Sequence, residues 1–423
     1  MTRRQPVHTV YGGAHLFKAE TAGRLGELAL AALERFAATP EALAAAAGWA
    51  NNDGELAARV HGRILDKLQR EPVEDYRIDF EDGYGIRSDE EEDGHAEAAA
   101  REVARGMGQG SLPPYVGMRV KPLFGELGRR ALATLERFLT ILTAETDGRL
   151  PDGFVVTLPK VTRPAEVETL AGTLDGLESR LGLPSGSLVL ELMVETPRSI
   201  IAADGRIALP ELVAAAAGRC RGAHFGTYDY TASLGITAGE QRMDHPACDL
   251  AKGVMQIALA DTGIWLSDGS TNVLPVPPHR GERLTAEEQA ENSRVVHAAW
   301  RLHHRHVRHS LEGGFYQGWD LHPAQLVTRY AAVYGFFLEG ADTAGERLRS
   351  FVEHAARATL VGDVFDDAAT GQGLLNFFLR AAACGALSEE ESRRLTRLSP
   401  EELASRSFLE ILAGRREGER LSG

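Results

Sequence analysis

The sequence predicts an α/β fold, a modified (β/α)8 barrel with a C-terminal helical extension. Short apolar, β-prone runs alternate with helical patterns along most of the chain, which is typical of parallel strands joined by helices. Several of these runs end in charged residues directly before a loop, at the position where strands of such barrels carry functional side chains. Only helical patterns occur after about residue 325, and the 423 residues exceed the roughly 250 of a typical barrel. We therefore predict a barrel domain over residues 1–325 and a helical extension over residues 326–423.

The predicted elements alternate in a regular order. The eight strands begin near residues 7, 76, 115, 153, 188, 222, 264 and 314. The helices span residues 21–36, 55–68, 88–107, 127–143, 164–181, 209–217, 246–261 and 286–311, where apolar side chains recur three and four residues apart. Ser88 is the predicted N-cap of its helix, because a serine hydroxyl can accept from a free backbone N–H. The alanine-rich stretch 42–47 is interpreted as a connecting segment between helices.

Composition excludes several classes of protein. Hydrophobic residues make up 43% of the chain and charged residues 25%, as in ordinary globular proteins. A net charge of -14 argues against nucleic acid or an anionic membrane as the main partner, because both select for basic surfaces. The 3 cysteines lack metal-type spacing and are odd in number, which favours a reducing compartment. No apolar run approaches a membrane span and no signal peptide is recognisable, so we expect a cytoplasmic protein.

Two acids stand at the ends of consecutive predicted strands. Glu195 follows the apolar run 188–194, and the next strand is predicted to end at residues 228–230, which include Asp229. The carboxyl ends of strands in a parallel barrel lie side by side on the face that carries the active site. We therefore expect Glu195 and Asp229 to share one hard cation.

Other polar side chains occur at predicted strand ends. They are His15 after the first strand, Asp79, Glu81 and Asp82 after the second, Arg119 and Lys121 at the third, Lys160 at the fourth and His322 at the eighth. Tyr228, beside Asp229, is a further candidate for substrate binding. The same face of a barrel would bring all of these residues together.

Six short fragments occur in an order that resembles the HpcH/HpaI aldolase and citrate lyase β-subunit superfamily. They are Asp79-Phe-Glu-Asp, Met118-Arg-Val-Lys-Pro-Leu, Leu158-Pro-Lys-Val, Val194-Glu-Thr-Pro, Gly226-Thr-Tyr-Asp-Tyr-Thr-Ala-Ser-Leu-Gly and Leu321-His-Pro-Ala-Gln. The resemblance covers roughly residues 7–325, and each fragment lies at a predicted strand end.

The resemblance implies a chemistry and roles for individual residues. Members of the superfamily are modified (β/α)8 barrels that make or break carbon–carbon bonds next to a carbonyl, usually with Mg²⁺ or Mn²⁺. By this resemblance Glu195 and Asp229 would be the metal ligands, and Arg119 would hold the substrate carboxylate or the developing enolate oxygen. The acidic group Asp79, Glu81 and Asp82 would support the metal from outside its ligand shell or through water. His322 falls in what resembles the family's His-Pro element.

The chain departs from the superfamily pattern in three places. Lys121 stands where a small amide is usual, Gly12-Gly-Ala-His is not the usual opening, and Phe315-Tyr-Gln-Gly-Trp replaces a glycine-lysine approach to His322. These departures weaken the case for recognition of an acyl-CoA more than the case for the metal site.

The residues suit enolate chemistry, but they leave the general base open. A divalent cation bound by carboxylates stabilises the charge of an enolate, and the planar guanidinium of Arg119 suits a carboxylate. Lys121 and Lys160 are candidates to neutralise a second carboxylate or a phosphate. The base could be His15, His322 or an acid such as Asp366 or Asp367, on a glycine-containing acidic loop that could act as a lid and reach a neighbouring subunit.

Each of these interpretations has a structural alternative. Glu195 and Asp229 could pair with Arg198 and Arg242 or cap loops. Arg119 could form a structural salt bridge, the acids at 79–82 could be a solvated turn, and the histidines could be hydrogen-bonded structural residues. The histidine-rich helix at residues 297–309 is interpreted as a solvated or intersubunit face, because its histidines spread around the helix.

The sequence therefore predicts a divalent-metal-dependent carbon–carbon lyase or aldolase acting on a 2-oxo acid or hydroxy acid. The first alternative is an acyl-CoA enzyme of the malyl-CoA or citramalyl-CoA type, including a malate-synthase-like condensation or a thioesterase. The second is a non-catalytic barrel that binds a carboxylate. The expected partners are a small carboxylate, possibly as a CoA thioester, and further copies of the chain in a homo-oligomer.

Overall fold

Eight parallel strands form a closed barrel in which each strand pairs with the next and the last returns to the first. The structure is a computed structural model that describes residues 4–49, 54–281, 283–358 and 368–422. The strands are β1 (His8–Gly13), β2 (Asp75–Asp79), β3 (Tyr115–Arg119), β4 (Val155–Leu158), β5 (Val189–Val194), β6 (Cys220–Phe225), β7 (Trp265–Ser270) and β8 (Gln317–Asp320). This confirms the predicted (β/α)8 fold.

Helices cover the outside of the barrel. Those between strands are α1 (Thr21–Phe36), α2 (Pro40–Ala47), α3 (Gly54–Arg70), α4 (Asp89–Gln109), α5 (Gly125–Glu145), α6 (Pro164–Leu181), α7 (Pro197–Ile200), α8 (Leu209–Ala215), α9 (Thr227–Ser233), α10 (Pro246–Leu259) and α11 (Ala286–Glu312). After β8 come α12 (Gln325–Ala358), α13 (Ala368–Ala383), α14 (Glu389–Thr396), α15 (Pro400–Ser405) and α16 (Phe408–Ser422). In the described ranges, no helix is both long and apolar enough to cross a membrane.

Local signals in the sequence explain most helix boundaries. Ser88 caps α4, since its hydroxyl accepts a hydrogen bond from the backbone N–H of Glu91 at 3.2 Å. The interpretation of residues 42–47 as a connecting segment is wrong, because they form part of α2. Thr39 caps this helix by accepting from Ala42 N, and Gly48 ends it with a φ of 77°, a conformation that glycine adopts without strain.

One strand end differs from the prediction. Strand β6 ends at Phe225, and the predicted strand end at residues 228–230 lies in helix α9. Strand β7 contains an acid, Asp268. Asp268 is buried, and its carboxylate accepts hydrogen bonds from Lys252 Nζ and Ser310 Oγ at 2.9 and 2.6 Å. A polar side chain can therefore belong to a core strand when its hydrogen-bonding groups are paired.

The interior of the barrel contains buried ion pairs below the candidate site. Side chains alternate along a strand, so Asp75, Arg77 and Asp79 of β2 all face inward. Arg77 Nη2 donates to Glu191 of β5 at 2.7 Å, Arg77 Nη1 pairs with Asp75, and all three side chains are buried. Burial opposes the charge of Arg77, but Asp75 and Glu191 outweigh it and raise the pKa of the guanidinium. The middle of the barrel is a packed, charged layer and not a channel.

The helices after β8 pack on the barrel's outer helices. Helix α12 lies against α3 and α11, and one continuous apolar core includes Trp300 of α11, Tyr330 of α12 and Phe378 of α13. Arg63 of α3 pairs with Glu391 of α14 at 2.7 Å. The division of the chain at residue 325 stays a prediction, because the apolar core runs across it.

The interpretation of the histidine-rich helix as a solvated face is wrong for its central residues. His303, His304 and His306 are buried. His303 contacts Thr328 Oγ1 at 2.7 Å and Asp320 Oδ1 at 3.0 Å. His303 therefore connects α11 to α12 and to the end of β8.

Candidate active site

A buried ion pair forms one wall of the site at the carboxyl ends of β2 and β3. Asp79 and Arg119 are the last residues of these strands and lie directly opposite each other in the sheet. Arg119 Nε donates to Asp79 Oδ1 at 2.7 Å and Nη2 donates to Oδ2 at 2.5 Å. Arg119 also lies over the ring of Tyr11 at 4.8 Å. Burial opposes its charge, but Asp79 outweighs burial and raises the pKa of Arg119, so this guanidinium is permanently charged.

The loop after β2 turns back into the site. Asp79 Oδ1 accepts from Glu81 N at 3.0 Å and Oδ2 accepts from Gly83 N at 2.7 Å, so one carboxylate holds both the turn and Arg119. Glu81 Oε2 lies 3.2 Å from Arg119 Nη1 and has no hydrogen bond within the described part of the chain. Burial raises the pKa of Glu81. Burial also acts on Asp82, but Arg119 and Lys160 lower the pKa of that acid overall.

Lys160 lies at the centre of the acidic residues. It follows β4 with a φ of 51°, a conformation uncommon outside glycine. Its Nζ pairs with Glu81, lies 3.1 Å from Asp82 Oδ2 and lies 3.4 Å from Asp229 Oδ2. Its backbone N–H donates to Glu195 Oε1 at 2.6 Å. Burial opposes the charge of this ammonium, but Glu81 in particular raises its pKa, so the amine stays protonated.

Glu195 follows β5 and is only 2% exposed. Apart from the Lys160 amide, its carboxylate lies against Gly226, where an added Cβ would come within 2.5 Å of Oε2. Burial and the neighbouring Asp229 raise the pKa of Glu195 to about 8, although Arg119 and Lys160 act to lower it. The carboxylate therefore lies in a closely packed space. Its ionised form needs more positive charge there than Arg119 and Lys160 supply.

Asp229 faces Glu195 from the first turn of α9, with 43% of its side chain exposed. The prediction that it ends a strand is wrong, but the chain still brings it to the same face. The alternative partners are engaged elsewhere: Arg242 pairs with Asp244 at 2.9 Å and Arg198 donates to the carbonyl of Ala202 at 3.4 Å. Both carboxylates therefore contact Lys160, Asp229 at the ammonium and Glu195 at the backbone N–H.

The arrangement fits a hard divalent cation with few protein ligands. Glu195 and Asp229 offer only carboxylate oxygens, the donors that Mg²⁺ prefers, and Mg²⁺ commonly keeps several waters beside one or two carboxylates. Within the described ranges, no three His, Cys, Asp or Glu side chains are grouped as a metal-binding cluster. The remaining ligands of such a cation would have to be water and substrate.

Comparison with known proteins shows where the chain belongs. Residues 1–411 match the family model described as "Domain of unknown function (DUF6986)". The chain belongs to this family. L-malyl-CoA/beta-methylmalyl-CoA lyase from Haloarcula marismortui is 41% identical over 93 residues, which are 22% of this chain and 25% of that protein. The chain thus matches only about a quarter of that relative's length.

Solved structures show the same fold. A citrate lyase from Burkholderia xenovorans LB400 superposes with a TM-score of 0.54 at 16% identity, covering 92% of this chain and 96% of that chain. With the local match to the lyase, this confirms the resemblance to the HpcH/HpaI aldolase and citrate lyase β-subunit superfamily that the sequence motifs indicated. At 16% identity the superposition itself shows the fold alone.

Two residues predicted to bind substrate are engaged elsewhere. Lys121 Nζ donates to the carbonyl of Phe80 at 2.9 Å and pairs with the buried Glu92 of α4. The hydroxyl of Tyr228 donates to the carbonyl of Ser270 at 2.8 Å and accepts from Asn272 N at 2.9 Å. Lys121 therefore holds α4 against the barrel, and Tyr228 holds the loop after β7. Their roles in substrate binding remain predictions.

Two of the candidate bases, His15 and His322, lie among the described residues. His15 packs against Tyr84 and His95 with ring centroids 5.6 and 5.9 Å away, and its buried Nδ1 has no hydrogen-bond partner within the described part. His322 Nδ1 accepts from Ala324 N at 3.2 Å near the start of α12. Burial lowers the pKa of both histidines. Asp366 and Asp367 lie outside the described residues.

Sequence reasoning missed three residues that shape the site. Tyr11 underlies Arg119, and its buried hydroxyl has no hydrogen-bond partner among the described residues. Met193 Sδ lies 3.7 Å from Arg119 Nη1. Gly226 provides the space for Glu195. The alternation of β5 could have identified Met193, because it points inward two residues before Glu195.

Proposed function

We propose that this protein is a divalent-metal-dependent carbon–carbon lyase or aldolase that acts on a 2-oxo acid or hydroxy acid. The observation that carries the proposal is the environment of Glu195. A buried carboxylate beside a second carboxylate is unfavourable unless a cation compensates it. Glu195 is 2% exposed and its pKa is raised to about 8, so a cation with more charge than an ammonium suits this position.

Glu195 and Asp229 would hold Mg²⁺ or Mn²⁺, with Asp79, Glu81 and Asp82 behind them. When bound, such a cation supplies the positive charge that stabilises an enolate. Lys160 Nζ now lies 3.4 Å from Asp229 Oδ2, so its ammonium has to move away as the cation binds. Glu81 and Asp82, both in contact with Lys160, are the acids that would keep the displaced ammonium nearby.

Arg119 would orient the substrate. Its Nε and Nη2 are committed to Asp79, which fixes the plane of the guanidinium. Its Nη1 lies between Met193 Sδ and Glu81 Oε2, at 3.7 and 3.2 Å, and is the part that a substrate oxygen can reach. A guanidinium held by a buried carboxylate is preorganised, so it stabilises developing negative charge without rearranging.

The proton that accompanies bond cleavage has several possible acceptors. His15 remains a candidate because its Nδ1 lacks a partner among the described residues and burial keeps the imidazole neutral, the state that a base needs. His322 is less free, since its Nδ1 already accepts from Ala324 N. Asp367 stays a candidate from the sequence alone.

A second candidate function is cleavage or formation of a carbon–carbon bond in a hydroxyacyl-CoA thioester. The 41% identity over 93 residues to L-malyl-CoA/beta-methylmalyl-CoA lyase favours it. The same site chemistry serves both functions, because both pass through an enolate. A non-catalytic carboxylate-binding barrel is a weaker alternative, since two converging carboxylates cost stability that binding alone does not require.

A panel of substrates separates the alternatives. Release of pyruvate, glyoxylate and acetyl-CoA is measured from 4-hydroxy-2-oxo acids and from hydroxyacyl-CoA thioesters, with Mg²⁺, with Mn²⁺ and with EDTA. Wild type runs beside Glu195→Gln, Asp229→Asn and the control Glu126→Gln, whose side chain is 95% exposed. Metal-dependent cleavage of free acids, lost in both site variants and kept in the control, supports the aldolase.

The other outcomes are equally informative. Turnover of thioesters alone assigns the CoA function, and tight metal binding without turnover of any substrate supports the binding role. Equal activity in wild type, Glu195→Gln and Asp229→Asn contradicts the proposed site. Homo-oligomerisation, which we also propose, is checked on the same preparations by light scattering.

A further inference from the structure

A second cavity lies at the opposite end of the barrel from the candidate active site. It has a volume of about 1050 Å³ and is lined by Val7 and Trp265 at the amino ends of β1 and β7, by Tyr316 just before β8, and by residues of α12, α13 and α15. We call it the basal cavity. Its size is at the upper end of small-molecule sites, which typically measure roughly 300–1,000 Å³.

The basal cavity contains a cation without an acidic partner. Arg380 of α13 lies 4.2 Å from the ring centroid of Tyr316, and its Nη1 donates to Gln5 Oε1 at 2.7 Å. In the described part of the chain no carboxylate forms an ion pair with Arg380. Besides Arg380, the arginine and glutamate residues that line the cavity are Arg4, Arg406 and Glu389. Arg4 is already paired with Glu71.

This environment is unfavourable for an isolated cation. Burial lowers the pKa of Arg380, Tyr316 partly offsets this, and Arg406 lowers the pKa further. A guanidinium has five N–H donors, and only the bond to Gln5 engages Arg380 within the described residues. Gln5 is a neutral partner: its Oε1 accepts from Arg380, while its amide nitrogen donates to Leu266 O and Gln317 Oε1. An anion would supply the missing counter-charge.

The walls add a second requirement. Trp265, Tyr316 and Phe337 line the cavity with aromatic rings beside the arginines. A bare inorganic anion would leave these rings in contact with water, whereas an anion with a flat apolar part would cover them. The charge and the rings together select for one molecule that carries both features.

We propose that the basal cavity is a binding site for a small organic anion, a carboxylate or phosphate joined to a flat apolar body, held by Arg380. The site is distinct from the candidate active site, because the amino ends of β1, β7 and β8 face away from Glu195 and Arg119. The ligand would contact both the barrel and the helices after β8, so its binding would stabilise their packing.

The test uses isothermal titration calorimetry of the full chain with four probes. They are phenyl phosphate, benzoate, inorganic phosphate and the uncharged benzyl alcohol. We expect phenyl phosphate or benzoate to bind with a dissociation constant of about 1 mM or lower, with inorganic phosphate weaker and benzyl alcohol weakest. Binding of only one aromatic anion identifies the headgroup as phosphate or carboxylate.

Variants locate the binding. Arg380→Met should weaken binding of the aromatic anion by at least about tenfold. Arg380→Lys should weaken it by less, because the charge remains. Ala383→Phe, which fills the cavity without changing charge, should also abolish binding and covers the case in which Arg380→Met does not fold. The matched control is Arg129→Met, an arginine 82% exposed on α5.

Three results would overturn the proposal. They are equal affinity in wild type and Arg380→Met, equal affinity for benzyl alcohol and benzoate, and no binding of any anion up to about 10 mM. Binding that persists in Arg380→Met would lie elsewhere, for example at Arg119. The outcome does not depend on whether the protein is a lyase.

Discussion

Replacing Glu195 by Gln should stabilise the metal-free protein, and the gain should grow with pH. The pKa of this carboxyl is raised from its ordinary 4.5 to about 8 by burial and by Asp229. The folded protein therefore holds a proton on Glu195 that the unfolded chain releases above pH 4.5. Wild-type stability from this group is fully present below that pH and is lost as the pH rises through about 8.

The size of the effect follows from the same values. One pKa unit corresponds to 1.36 kcal/mol, so ionising Glu195 in the folded state costs up to about 5 kcal/mol, with water entry and movement of Lys160 reducing this. Glutamine has the shape of the protonated acid and can still accept from Lys160 N. The variant should therefore match wild type near pH 5 and exceed it by several kcal/mol near pH 9.

Denaturant unfolding in EDTA at several pH values between about 5 and 9 measures this difference. The control Glu126→Gln, exposed on α5, should follow wild type at every pH. Added Mg²⁺ should narrow this difference at high pH, because it binds wild type and contributes about 2.7 kcal/mol at a hundred times its dissociation constant. A stability difference between Glu195→Gln and wild type that does not change with pH would refute the reasoning.

Three further predictions concern the residues around Glu195. Arg119→Lys should lower kcat/KM by about 100-fold, because lysine keeps the charge but cannot bind Asp79 through two parallel hydrogen bonds; steady-state kinetics measures this. Gly226→Ala should weaken Mg²⁺ binding at least about tenfold by calorimetry and destabilise the fold by about 1–3 kcal/mol, since its Cβ would come 2.5 Å from Glu195 Oε2. Lys160→Met should tighten Mg²⁺ binding by at least about threefold, because it removes a competing cation, while activity falls.

Each of these has an outcome that argues against it. Unchanged kcat/KM in Arg119→Lys would make the ion pair with Asp79 purely structural. Gly239→Ala, where an added Cβ would meet nothing within 4 Å, is the control for Gly226→Ala, and equal effects of the two would remove the special role of Gly226. Weaker Mg²⁺ binding in Lys160→Met would show that the ammonium organises the carboxylates and does not compete with the metal.

The strands and most helices could be predicted because their signals are local. Helices α1 and α6 have the predicted bounds, since apolar spacing and a proline or threonine at the start mark them. Asp229 shows the limit: the prediction placed it at a strand end, but the chain turns at Gly226, where the space beside Glu195 admits no side chain, and continues as a helix. That constraint is tertiary and leaves no local pattern.

Partner choice was the least predictable property. Lys121 stands two residues after Arg119, yet it pairs with Glu92 of α4, which lies 29 residues away in sequence. The histidines of α11 look polar in sequence, but His303 is buried against Asp320 and Thr328. Spacing along the chain identifies which face of an element carries a side chain. It does not identify which distant residue will satisfy that side chain.

The buried pair between Arg77 and Glu191 also determines whether the barrel can be divided. Arg77 belongs to the first four strands and Glu191 to the last four, so a cut in the loop between α6 and β5 would separate this buried pair and leave only Asp75 to pair with Arg77. The other seam is joined in the same way, since His8 of β1 contacts Asp320 of β8 at 2.9 Å. Removing one member of a buried pair typically costs about 3–5 kcal/mol. Neither half should therefore fold alone, and the two fragments should regain structure only when they are mixed.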